Sequence, residues 1–192
     1  MRKGFGICCI ILGVCCLISS LGLIAYNRWE EAHVRDVSSA MLQDVRERME
    51  EPCDETAALA PDIPSAQIDG YDCIGVLSIP VLELELPVLT DWSYAKLKIA
   101  PCHYFGSYYE KDFVIAAHNY QSHFGRLSEL QPKDLILFTD ISGTVYCYEV
   151  VLLETLPANA TEETITSGFD LSRYTCTPGG ASRVTVRCSS YT

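Results

Sequence analysis

Basic side chains are scarce in this chain: 14 Lys and Arg stand against 25 Asp and Glu, for a formal net charge of −11 and a pI near 4.7. A nucleic-acid-binding surface needs basic groups to displace counterions, so this balance excludes that class. A P-loop, a dinucleotide-binding glycine fingerprint and an EF-hand loop are also missing, which removes the common phosphate, NAD and calcium sites. No two cysteines stand in the C-x-x-C spacing of a zinc or redox site. Internal repeats and low-complexity tracts are absent as well. No cofactor and no metal are expected. Glu83 and Glu85 alternate in a way that reads as a solvent face rather than a cation site.

Acidic residues are absent before Glu30, and between Lys3 and Arg28 there is no charge at all. A helix needs roughly 20 apolar residues to cross a bilayer, and this run supplies them. A cleaved signal peptide, with Ser20 and Gly22 as a small-residue cleavage pair, is the rival reading. Its apolar stretch is normally about 7–15 residues, shorter than this one. The expected organisation is a cytoplasmic N-terminus over 1–4 and a transmembrane anchor over 5–26. Arg2 and Lys3 favour an N-terminus inside and the remaining chain outside. All 25 acids then belong to the exported part.

Beyond the anchor, 27–51 reads as a juxtamembrane stalk helix. Ala32, Val37, Met41, Val45 and Met49 recur at helical spacings, and the interspersed charges, with His33, mark a solvated face. Residues 52–70 carry prolines without periodicity and read as a linker. From 71 to 192 the pattern is of short runs rich in Val, Ile, Leu and Tyr separated by turn residues. Seven or eight such strands with few helical stretches predict a mostly β, closed or nearly closed barrel. Outside the membrane run lie Cys53, Cys73, Cys102, Cys147, Cys176 and Cys188. An even number of exported cysteines can form disulfides. A chain of 192 residues with 48% apolar content does not need such staples. Most of these thiols therefore read first as core residues, with disulfides second.

Strand directions single out three side chains. In "DFVIAAH", His118 follows Val114 and Ala116 on one side of a strand. In "RVTVRC", Arg183, Thr185 and Arg187 share one face, opposite Val184, Val186 and Cys188. Cys176 ends the preceding strand, and Pro-Gly-Gly supplies the reversal. A cation or imidazolium favours a thiolate, a histidine can protonate a leaving amine, and a planar guanidinium can hold an oxyanion. The competing reading makes Cys176 a buried small hydrophobe.

Three phrases in order carry a resemblance. "YDCIGVLSIPVLELELPVL", "FVIAAHNYQSHFGRLSEL" and "LSRYTCTPGGASRVTVRC" are similar to the opening strands, the histidine segment and the Thr-Cys to Arg-x-x-Val signature of the sortases, membrane-anchored bacterial cysteine transpeptidases. The resemblance implies a sortase-like closed barrel of seven or eight strands with short helices, behind an N-terminal transmembrane helix and stalk. It implies His118 as catalytic histidine, Cys176 as nucleophile and Arg183 as catalytic arginine, with Thr175 and Ala117 beside them as substrate contacts. Arg126, Arg173 and Arg187 are the rivals of Arg183. His103 is expected in a loop near the cleft, His123 at the surface, and Phe124 and Leu127 beneath the histidine.

The implied reaction is cleavage of an LPxTG-like sorting motif of exported proteins through a thioacyl-enzyme, followed by transfer to an amine of a cell-wall peptide or pilin. The short 176–183 loop, the lack of room between Leu156 and Asp170 for the helical insertion of class B, and an end four residues after Cys188, without the anchor common in class C, leave the subclass open between class B- and D-like. Two other functions compete. A papain-like or wall-cleaving cysteine hydrolase would carry its nucleophile before its histidine, the reverse of the order here. A catalytically silent binding barrel would not need all three residues.

Overall fold

Branched and aromatic side chains alternating with polar ones pack well on a pleated surface, and the runs of this kind after residue 63 become strands. The computed structural model describes residues 2–50, 63–165, 168–177 and 180–191. Nine strands lie among them: β1 Ala66–Ile68, β2 Tyr71–Ile79, β3 Leu84–Leu89, β4 Cys102–Phe105, β5 Phe113–Ala117, β6 Leu135–Asp140, β7 Val145–Pro157, β8 Leu171–Cys176 and β9 Ser182–Ser190. The helices are α1 Arg2–Glu50, α2 Tyr94–Leu97 and α3 Thr161–Ile165. The sheet order is β1-β2-β3-β4-β5-β8-β9-β7-β6, and β2 also pairs with β6. That last pairing closes β2 to β9 into an eight-stranded barrel, which β1 extends at one seam.

The seam depends on Gly75. A bulge separates Cys73 from Gly75, whose φ is +152°, and a Cβ there would lie 2.1 Å from the Thr139 carbonyl oxygen. Only a residue without a side chain lets β2 approach β6 so closely. Inside the barrel, Ile74, Phe113, Ile115, Phe138 and Val186 belong to one fully buried cluster. Outside its wall a second cluster joins Cys73, Leu89, Cys102, Val114, Ala116 and Tyr174 to Met41 and Val45 of α1.

The second cluster corrects the stalk expected over 27–51. The helix is there, continuous with the apolar run, but it lies on the barrel instead of standing free. Its buried stripe is Val34, Ser38, Met41 and Val45, whereas Ala32 is exposed and Val37 only half-buried. Steps of four, three and four residues keep a stripe on one side of a helix. The expected linker also enters the sheet, because β1 begins at Ala66. Its residues 52–62 lie outside the described ones. The apolar part of α1 is long and hydrophobic enough to cross a membrane, with mean hydropathy 2.4 and none of that window buried.

The core reading of the cysteines holds for Cys73, Cys102 and Cys188, all free and fully buried. Burial pushes the Cys73 and Cys102 thiols up to about 12, which leaves them unreactive. Cys147 is half-buried and free, and Cys53 lies outside the described residues.

Candidate active site

Strands β5 and β8 run parallel with Ala116 opposite Tyr174 and Ala117 opposite Thr175. His118 and Cys176 come next on each chain, so both arrive at the same end of neighbouring strands, whose axes lie about 4.8 Å apart. Strand β9 runs antiparallel to β8 and sets Arg183 opposite Cys176. Three adjacent strands thus deliver a thiol, an imidazole and a guanidinium to one rim of the barrel. Beyond Cys176, Thr177 N donates to Ser182 O at 2.8 Å and its hydroxyl to the same oxygen at 3.1 Å. These bonds close the reversal, of which Pro178 and Gly179 lie outside the described residues.

Cys176 is exposed, which sets it apart from the three sealed core thiols. The Arg183 guanidinium lies over the Tyr174 ring, 4.9 Å from its centroid. Its Nε and Nη1 are buried and find no hydrogen-bond partner among the described residues, and the same is true of His118 Nε2. Unpaired donors at a rim beside an accessible thiol are suited to a ligand that brings acceptors. Burial, then the Lys98 ammonium, lowers the His118 imidazole below 6.5, while Glu30 opposes them. Among the described residues, no group of three or more His, Cys, Asp or Glu could hold a metal ion.

The rival arginines lie away from the rim or are engaged by other groups. Arg126 binds Glu129 and the Leu82 carbonyl. Arg173 is sealed inside the barrel, with Nη2 donating to Cys188 Sγ at 3.5 Å. Arg187 is bound by Glu154, Ser172 and the carbonyls of Glu163 and Thr164.

Four expectations need correction. Thr175 and Ala117 are 3% and 5% exposed and face the barrel interior. Side chains alternate along a strand, so the immediate neighbours of Cys176 and His118 must point inward, away from the rim. His103 lies in strand β4 rather than a loop, with its ring nitrogens 3.0 Å from Thr90 O and 2.8 Å from Gly106 O. His123 is wholly buried, not at the surface. The chain folds back after His118, with Phe124 N donating to His118 O and Gly125 N to Tyr120 O. A Cβ on Gly125 would sit 2.6 Å from Asn119 O, so the turn closes only with glycine. That tight turn tucks His123 inward, while Phe124 and Leu127 pack in the core as expected.

Sequence reasoning missed Tyr120, Lys98 and Glu30, which surround His118. The Tyr120 ring meets His118 edge-on at 5.4 Å, and its hydroxyl donates to Glu30 at 3.2 Å. No periodicity links positions so far apart in the chain.

The Sortase domain family matches residues 77–190. Curated proteins yield no match. Among solved structures, a Clostridium perfringens sortase D5 transpeptidase superposes with a TM-score of 0.65 at 18% identity, covering 82% of this chain and 99% of its own. Sortase C1 of Streptococcus suis gives 0.54 at 26% identity, over 62% of this chain and 73% of its own. A Clostridium perfringens sortase C with a C-terminal cell wall sorting motif gives 0.56 at 17% identity, over 88% and 96%. With a closed eight-stranded barrel behind an apolar helix and the family match over most of that barrel, the chain belongs to the sortases, the cysteine transpeptidases.

Proposed function

We propose that the protein cleaves an LPxTG-like sorting motif of exported proteins and joins them to an amine of a cell-wall peptide or pilin, with Cys176, His118 and Arg183 as its catalytic residues. The Cys176 thiolate attacks the threonyl carbonyl carbon. Arg183, through the donors left free at Nε and Nη1, holds the oxyanion. Collapse breaks the Thr–Gly bond as protonated His118 gives its proton to the departing amine. The thioacyl-enzyme is then attacked by the incoming amine, His118 takes the proton back, and the thiolate leaves. The observation that carries this reading is the register of β5, β8 and β9, which brings an exposed thiol opposite Arg183 and beside His118.

The apolar stretch of α1 anchors the enzyme, with its N-terminus inside and the barrel outside, where tethered exported proteins pass. The sortase C above, solved with a C-terminal cell wall sorting motif, supports the substrate class. The test is an LPxTG-type peptide carrying a thiol-reactive carbonyl, incubated with the full-length protein in detergent and read by intact mass. A single adduct that disappears in Cys176→Ala is expected. An adduct that survives in that variant would remove Cys176 from the reaction.

A further inference from the structure

The apolar run of α1 ends in an aromatic pair, Tyr26 and Trp29, with ring centroids 6.2 Å apart. Such rings mark the water interface of a membrane span. Glu30 follows at once, roughly 6 Å above Tyr26 along the helix axis. From there the helix reaches the turn that carries His118. Tyr120 donates its hydroxyl to Glu30 Oε1 at 3.2 Å, and Lys98 Nζ lies 3.8 Å from the same oxygen. Gln121 N donates to Glu31 Oε1 at 2.7 Å. The Tyr120 ring stands edge-on between two histidines, 5.4 Å from His118 and 5.7 Å from His123. Burial and Glu30 push the Tyr120 hydroxyl up to about 12, so it remains a donor across the working pH range.

The groups around His118 are Glu30 from α1, Lys98 from the segment after α2, and Tyr120 and His123 from its own turn, with Cys176 of β8 and Arg183 of β9 along the same rim. Lys98 and Arg183 are cations, and Glu30 is the carboxylate that opposes Lys98. A half-exposed ion pair alone contributes little. Two bonds from one helical turn to one tight loop, however, restrict that loop jointly.

We propose that Glu30 is a positioning residue for His118, holding its loop through Tyr120 to the turn of α1 that leaves the membrane, so that the histidine is set only while α1 is docked on the barrel. The proposal rests on the catalytic assignment of His118. It adds that the anchor is part of the site, since the histidine end of the cleft is tied to the membrane boundary and receives substrates held there.

The test uses the full-length protein in lipid nanodiscs, with ring-labelled histidine followed by NMR across pH and turnover of a fluorogenic LPxTG-type peptide. Glu30→Gln is expected to lower the pH at which His118 titrates, and Lys98→Met to raise it. Glu30→Gln and Tyr120→Phe are each expected to lower kcat/KM about tenfold, the effect of one charge-assisted hydrogen bond. The double variant falls no further, since both changes break one link. An unmoved His118 titration in Glu30→Gln, or additive losses in the double variant, overturns the proposal alone. Retained turnover in His118→Ala would overturn the assignment of His118, and this proposal with it. The titration needs no substrate and therefore decides the matter for any peptide.

Discussion

Two arginines of one strand have different fates, and the difference predicts different phenotypes. Arg187 is 2% exposed and saturated by Glu154, Ser172 and two carbonyls. Arg187→Met leaves buried neutral acceptors unpaired, at about 1–3 kcal/mol, and should lower the unfolding midpoint in a denaturant titration by that equivalent. Arg183 has no such partners. Arg183→Lys should leave the midpoint in place and lower kcat/KM by about 10²–10³, the size of a lost oxyanion donor. His123 gives a pH signature. Burial, with the nearby His118, lowers its imidazole from 6.5 to about 4. The unfolded chain therefore takes up a proton that the folded chain refuses, and stability drains away as pH falls from 6.5 towards 4. Replacing His123 with Phe should flatten that part of a curve of unfolding free energy against pH. The alternation in "RVTVRC" was legible as two faces. That α3 would hold Arg187 through the Glu163 and Thr164 carbonyls was not, because those carbonyls come from a separate segment.

At the scale of elements, α1 decides more than its sequence suggests. Its second half packs on β1, β2 and β3, where Met41 and Val45 join Cys73 and Leu89 in one cluster on the outer wall of the barrel. Met41 is 2% exposed, and a buried Met→Ala change costs about 2–5 kcal/mol through lost transfer energy and a cavity. Met41→Ala should therefore destabilise the barrel, read by tryptophan fluorescence in denaturant, although the residue lies in a helix outside it. An unshifted midpoint would mean that α1 stands free. Periodicity announced a helix here but pointed to Ala32 and Val37. A window containing several apolar and small residues admits more than one stripe, and only the partner surface selects among them. Strands were more legible, since each alternation is complete within a few residues.

For the whole molecule, the net charge of −11 and the apolar run describe an acidic domain behind a helix long and apolar enough to cross a membrane. In the topology proposed above, the barrel docked along α1 is held with its histidine turn close to the bilayer boundary. A membrane-impermeant maleimide applied to intact cells should label the protein through exposed Cys176, and Cys176→Ser should remove most of that label. Labelling that requires permeabilised cells would reverse the topology proposed above.

The sequence by itself determined the membrane run, the strand-rich barrel and the order of histidine, cysteine and arginine, because alternation and spacing act over a few neighbouring residues. Tertiary structure alone decided which arginine keeps free donors at the rim, that Thr175 and Ala117 turn inward, that His123 is sealed in, and that Glu30 meets the turn after His118. Each of these depends on barrel closure and on the docking of α1, contacts between distant segments whose energies come from shared burial rather than from any local pattern.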